Sequence, residues 1–292
     1  MEIDDALVRR LVSAQFPRWS HLAIRRVTPG GWDNRTFRLG DELLVRLPSA
    51  DGYAAAVAKE QRWLPAIGPH VPLQVPEPVG HGVPTPEFDR PWSVYRWITG
   101  VPAAEAMPDD LDEFAGDVAR FLTALADVDA TDGPAPGAHS FWRGAHPRVY
   151  EEDVVRSLER LDGVIDTVAA REVWDAALGT EITAPAVWFH GDIAHGNLLL
   201  REGRLAAVID FGTSGVGDPA CDLAIAWTMF DDSARDVFRC ALRWDDDVWV
   251  RGRAWALWKA MLVLSDASGS HDPEAEARSS RIVIEKILAD AP

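Results

Sequence analysis

The hydrophobic period of this chain changes once, near Gly100, and that change limits the folds open to it. Between Ile24 and Leu47 the apolar residues fall in short runs, AIRRV, RTFRLG and LLVRLP, separated by the loop TPGGWDN and the turn at Asp41 and Glu42. Such runs predict a three-strand meander. A helix is predicted before it over 4–15, where Leu7, Leu11 and Val12 share a face, and another after it over 54–67. The proline-dense VPLQVPEPVGHGVPTPEFDRP excludes regular helix and predicts an extended connection to an edge strand; WSVYRWI is strand-like and stops at Thr99 and Gly100. Beyond Gly100 the spacing becomes helical over 111–128, 149–161, 167–178, 221–230, 234–242, 248–265 and 273–288, interrupted by two short strands, NLLL and LAAVIDFG. We expect an α+β chain with a small antiparallel sheet lobe over 1–99 and a mainly helical lobe over 100–292. No internal repeat or low-complexity tract is present.

The bulk numbers narrow the environment and the partners. The chain has 292 residues, 47% hydrophobic and 26% charged, enough for a substantial core. A formal charge of −17 opposes nucleic-acid and anionic membrane partners and suits a cationic small molecule. Cys221 and Cys240 are too few for a disulfide framework and lie in helical segments, as reduced thiols of a cytoplasmic protein would. MEIDDALVRRLVSAQF lacks the basic start and apolar core of a signal peptide, and the most apolar helix, WALWKAMLVL, is short and carries Lys259. A cytoplasmic protein without a membrane partner is expected.

The stretch HGDIAHGN, residues 190–197, lies between the apolar runs AVWF and LLL, so a polar loop hangs between buried elements. Asn197 follows Asp192 by five positions, and the next strand ends in VIDFG, with Asp210 eighteen positions after Asp192. A hairpin between them would return Asp210 beside Asn197. Phosphoryl transfer from a nucleotide needs these groups: a carboxylate to orient the acceptor hydroxyl, and an amide oxygen with a second carboxylate to hold magnesium on the phosphates.

Asp-x-x-x-x-Asn followed by Asp-Phe-Gly is the catalytic order of protein kinases, but here His190 and Gly191 precede Asp192 where those enzymes have His-Arg. With HGDIAHGN, VIDFG and GDPACDLA, the chain resembles the aminoglycoside phosphotransferase family of kinase-like small-molecule phosphotransferases, over most of its length. The resemblance implies a bilobal protein-kinase-like fold, Asp192 as catalytic base, and Asn197 and Asp210 as Mg2+ ligands. It implies ATP or GTP as donor, with Gly30, Gly31 and Asn34 of TPGGWDNRT over the phosphates, and YRWITG as the hinge where Arg96, Trp97 and Ile98 meet the base. Glu60 would pair with the basic residue of the third strand, where Arg46 stands in place of the usual lysine. The acceptor is implied to be a small hydroxyl compound: an aminoglycoside or other antibiotic, a choline-like amino alcohol, a sugar or a macrolide.

Other readings of the same residues stay open at this point. GDIAHGN resembles a metallophosphoesterase loop with one residue inserted, and His190, Asp192, His195 and Asp210 could make a transition-metal site, although the upstream Asp-x-His and downstream Asn-His-Glu of that class are missing. A nucleotide-holding module without turnover is the third reading; retention of Asp192, Asn197 and Asp210 together argues against it. His190 can fix the loop through its ring, and His195 can face solvent. Asp218 and Asp222 can accept backbone N–H bonds at a helix start or line the acceptor pocket. Of the thirteen tryptophans, Trp255 and Trp258, with Lys259, lie on a late helix that borders the acceptor cleft in the family. Asp231, Asp232 and the run 245–247 could receive a cationic acceptor.

Overall fold

The computed structural model describes residues 3–28, 33–266 and 272–290. The chain opens with α1 (Asp5–Gln15), whose first turn is closed by the Asp4 carboxylate accepting from the Leu7 amide. Then come β1 (Ile24–Arg26), β2 (Asn34–Leu39), β3 (Leu43–Pro48), α2 (Asp51–Ile67), β4 (Pro78–Gly82) and β5 (Trp92–Arg96). These strands form one antiparallel sheet in the order β1-β2-β3-β5-β4. The proline-rich segment itself supplies the edge strand, β4, where a residue lacking an N–H leaves no gap in the ladder, while WSVYR lies inside the sheet.

Strand alternation decides which side chains face the cleft. In β3, Leu43, Val45 and Leu47 point to one face, where they form a core with Phe37, Leu39, Trp92, Val94 and the apolar stripe of α1. Arg46 therefore points to the other face, against α2. From α2, Glu60 reaches the sheet and Lys59, one position earlier, turns toward the helical part of the molecule.

After β6 (Val101–Pro102) come α3 (Leu111–Ala126), α4 (Glu151–Arg160), α5 (Thr167–Leu178), β7 (Val187–Phe189), β8 (Leu198–Arg201), β9 (Arg204–Val208), β10 (Gly215–Gly217), α6 (Ile225–Thr228), α7 (Asp232–Leu242), α8 (Asp246–Ser265) and α9 (Pro273–Ala289). The helix expected over 221–230 is instead a 3-10 turn, Pro219–Ala224, followed by the short α6. The strands β6, β7 and β10 are too short for a period-2 signal. α8 is the central post: Val248, Trp249, Ala254, Trp255, Leu257, Trp258 and Met261 are buried, and it packs against α4, α5, α9 and the Pro219–Ala224 turn. A Cβ on Gly252 would meet the Leu223 side chain at 2.6 Å, so glycine is what lets this helix approach the turn. Among the described residues, no helix is long and apolar enough to cross a membrane.

Candidate active site

Two hairpin-like pairings build the site. β7 pairs with β10, with Phe189 opposite Gly215, so the loop after β7 starts beside the segment that follows Asp210. β8 pairs with β9, and beyond it the Ile209 N–H donates to the Asn197 carbonyl at 2.9 Å. That bond brings the HGDIAHGN and VIDFG stretches together at their functional ends.

The loop conformation is fixed from beneath. His190 is fully buried; its Nδ1 accepts from the Asp192 amide at 3.2 Å, so the proton sits on Nε2, which donates to the Ile209 carbonyl at 3.1 Å. Burial lowers its pKa and keeps it neutral. Gly191 has φ +88°, and a Cβ there would stand 2.8 Å from the Thr213 carbonyl oxygen. Asp222, 1% exposed, accepts from the His190 amide at 2.7 Å and the Gly191 amide at 2.6 Å. Burial pushes its carboxyl up to about 7 against those two donors.

Asp192 projects from this platform, its side chain 36% exposed. Its Oδ2 accepts from Asn197 Nδ2 at 2.9 Å, and its Oδ1 from Lys259 Nζ at 2.9 Å. Although burial opposes its charge, Lys259, His190 and Arg143 together hold its pKa below the usual carboxylate range. Because the Asn197 amide nitrogen is committed to Asp192, its oxygen is left for a cation. Asp210, in the left-handed region at φ 68°, accepts from Arg46 Nη2 at 2.9 Å through Oδ1. Asn197 and Asp210 thus offer the hard oxygen donors that suit Mg2+.

On the sheet side of the cleft, Arg46 and Glu60 are paired. Arg46 also lies 3.4 Å from Glu60, whose other carboxylate oxygen accepts from the Tyr95 hydroxyl. Burial works against the Arg46 charge, but Asp210 and Glu60 outweigh it and raise its pKa. Asn34 lines the same narrow cavity as Arg46, Glu60 and Asp210, together with Asp33 and Tyr53. Gly30 and Gly31 lie outside the described residues. At the hinge, the Arg96 amide donates to the Glu77 carbonyl and the Trp97 amide to that of Glu42, so sheet pairing has taken both. The Trp97 ring covers the Arg38 guanidinium at 3.8 Å. The Arg96 carbonyl and the Ile98 main chain remain for a base.

On the acceptor side three expectations are corrected. Asp222 is sealed under the loop and cannot reach an acceptor. Trp255 and Trp258, 3% and 6% exposed, turn inward: both pack on Tyr150 and lie under the Arg143 guanidinium, 5.4 and 4.8 Å from its carbon. Lys259 is what α8 presents instead. Three of the acidic groups offered for a cationic acceptor have partners of their own. Asp231 caps α7, Asp232 pairs with Arg235, and Asp246 pairs with Arg239. Asp246 also lies thirteen positions from Lys259 on one helix, roughly 20 Å away. Asp218 is structural, in a buried pair with Arg251 at 2.6 Å.

The transition-metal alternative fails on His190, because both of its ring nitrogens are bonded to backbone. Lys59 was not legible as a site residue. Its buried ammonium donates to the carbonyls of Gly212 at 2.7 Å and Ser214 at 2.8 Å, clamping the turn after Asp210 to α2, and burial lowers its pKa to about 8.

A model of the phosphotransferase enzyme family matches residues 24–257. The chain belongs to this family. Among phosphotransferase relatives, it is 38% identical over 64 residues to an aminoglycoside 3'-phosphotransferase of Escherichia coli, a stretch that is 22% of this chain and about a quarter, 24%, of that enzyme. Its fold matches the GDP complex of wild-type aminoglycoside 2'-phosphotransferase-IIIa with a TM-score of 0.72 and 17% identity over 99% of both chains. It also matches the macrolide 2'-phosphotransferase of Brachybacterium faecium, with a TM-score of 0.62 and 21% identity over 94% of this chain and 98% of that one. The fold is therefore the bilobal kinase-like one of these enzymes.

Proposed function

We propose that this phosphotransferase-family chain moves the γ-phosphoryl group of ATP or GTP to a hydroxyl of a small molecule, with Asp192 as the base. The observation that carries the reading is the shared bond network of Asp192, Asn197 and Ile209, which sets a half-exposed carboxylate beside a pair of oxygen donors. The division near Gly100 makes 1–99 the nucleotide lobe and 100–292 the lobe that carries Asp192. The family relatives named for aminoglycosides and macrolides support a hydroxyl-rich acceptor of that kind, and the relative solved with GDP supports a purine nucleotide donor. Net charge −17 favours no nucleic acid partner, and dependence on nucleotide together with a buried free thiol at Cys221 favours the cytoplasm.

In this reading Arg46 grips phosphate oxygens from β3 while Glu60 holds its guanidinium. Asn197 Oδ1 and Asp210 would hold Mg2+, which when bound offsets phosphate charge. Asn197 Nδ2 keeps the Asp192 carboxylate oriented. The acceptor oxygen attacks the γ-phosphorus, its proton passes to Asp192, and the nucleoside diphosphate leaves with the electron pair of the broken bond. Positioning and electrostatics supply most of the acceleration.

The test is nucleotide consumption with magnesium across a panel of hydroxyl compounds, with product mass to identify the phosphorylated acceptor. Asp192→Asn should lower turnover by roughly 10²–10⁴-fold while still binding nucleotide. Near-normal turnover of a confirmed acceptor by that variant would refute the role of Asp192.

A further inference from the structure

Both oxygens of the Asp192 carboxylate are occupied, but by partners of different standing. Asn197 belongs to the same loop and is tied to it by its amide donating to the Ala194 carbonyl and its side chain to the Asp192 carbonyl. Lys259 arrives from α8, 67 positions away, and its side chain is 44% exposed. Its ammonium sits on Oδ1, the oxygen that Asn197 leaves free and that an incoming hydroxyl needs. The neighbouring cation, Arg143, cannot exchange with it: its Nε donates to the Gly191 carbonyl at 3.2 Å and its plane is held over the two indoles. Lys259 is thus the half-exposed, flexible-stemmed group on a base that is otherwise rigidly held.

Resting on the phosphotransferase reading above, we propose that Lys259 reserves Asp192 for the acceptor. It is a positioning residue that discriminates the acceptor hydroxyl from water. In wasteful hydrolysis a water oxygen attacks the γ-phosphorus, its proton passes to Asp192 Oδ1, and the diphosphate leaves with the electrons of the broken bond. While Lys259 donates to Oδ1, one lone pair of that oxygen is engaged and the ammonium partly offsets the carboxylate charge, so the proton of a water meets a weaker acceptor. Water brings only its own hydrogen bonds to displace the ammonium. An acceptor is also anchored through groups remote from the reacting hydroxyl, and that binding energy drives Lys259 aside.

The experiment needs no knowledge of the acceptor. Hydrolysis of Mg-ATP and Mg-GTP without acceptor is measured for the wild type, Lys259→Met, which keeps the apolar stem, and Lys259→Arg, which keeps the cation. Nucleotide affinity by calorimetry and a thermal melt are taken on the same samples. Lys259→Met should hydrolyse roughly two- to five-fold faster, the scale of a half-exposed ion pair, with unchanged affinity, and Lys259→Arg should stay near the wild type. Equal rates for wild type and Lys259→Met, with nucleotide bound, would overturn the inference and leave the functional reading standing. A slower Lys259→Met would overturn it by making Lys259 a stabiliser of the transferred phosphoryl group. A wild type that binds neither nucleotide would overturn the functional reading and the inference with it.

Discussion

Arg46 and Asp210, 164 positions apart, are joined at 2.9 Å across the cleft between the sheet and the helical part of the chain. The same guanidinium reaches Glu60, so one side chain ties β3, α2 and the turn after β9 together. A planar fork with several donors can do this where a lysine ammonium, a single point charge, would have to choose between the carboxylates.

Removing that fork leaves Glu60, 5% exposed, without its cation. Arg46→Ala should lower stability by about 3 kcal/mol, the low end for a broken buried pair because Tyr95 still donates to Glu60, and should raise the KM for nucleotide. Arg46→Ala with Glu60→Gln should regain much of the stability in urea titrations without regaining nucleotide affinity. If affinity returns with stability, Arg46 acts on the nucleotide only through folding.

Asp222 supports the loop without touching a reactant. Asp222→Ala strands the His190 and Gly191 amides in the interior, at about 1–3 kcal/mol for each unsatisfied donor. Turnover should fall with little change in nucleotide KM, and Asp222→Asn, which keeps one acceptor oxygen, should lie between. A change in KM alone would mean that the carboxylate meets a ligand after all.

His190 is neutral when folded because burial depresses its pKa, whereas the unfolded chain protonates near pH 6.5. Its contribution is therefore fully present above about pH 6.5 and is lost as pH falls through the lower folded value. Urea midpoints should drop on acidification through that window. His190→Gln, whose amide can accept from Asp192 and donate to Ile209, should show a shallower drop.

The Arg251 and Asp218 pair is 2% and 1% exposed, and Arg251 also donates to Thr180 Oγ1 and the Glu181 carbonyl. Arg251→Met should cost about 3–5 kcal/mol, since it abandons a buried carboxylate. Arg251→Met with Asp218→Leu should be markedly less harmful in thermal melts. An additive double variant would show that the two charges are not coupled.

The gathering of Asp192, Asn197 and Asp210 was readable because each lies at a strand end, and a short hairpin has only one way to return its second strand. The pairing of Arg46 with Glu60 came from the family resemblance, and strand alternation and helical position in the structure agree with it. Asp222 stayed between two readings, a backbone acceptor and a pocket group, because an acidic residue after a Gly-Asp-Pro turn has the same letter whether it faces solvent or two backbone amides; the structure decides for the amides. The tryptophans of α8 were placed at the cleft by the family resemblance, and a helix with apolar residues all around carries no signal of which side is inward to correct it.

Local order therefore determined the two-part architecture and the three oxygen-bearing groups, through interactions that span a turn or a hairpin. Only the tertiary structure decided what surrounds them. Lys259, Lys59 and Arg143 come from a distant helix, the opposite lobe and an irregular loop, at separations of 67, 153 and 48 positions from the groups they bind. No periodicity links residues so far apart; their meeting is set by how the buried faces of α2 and α8 pack.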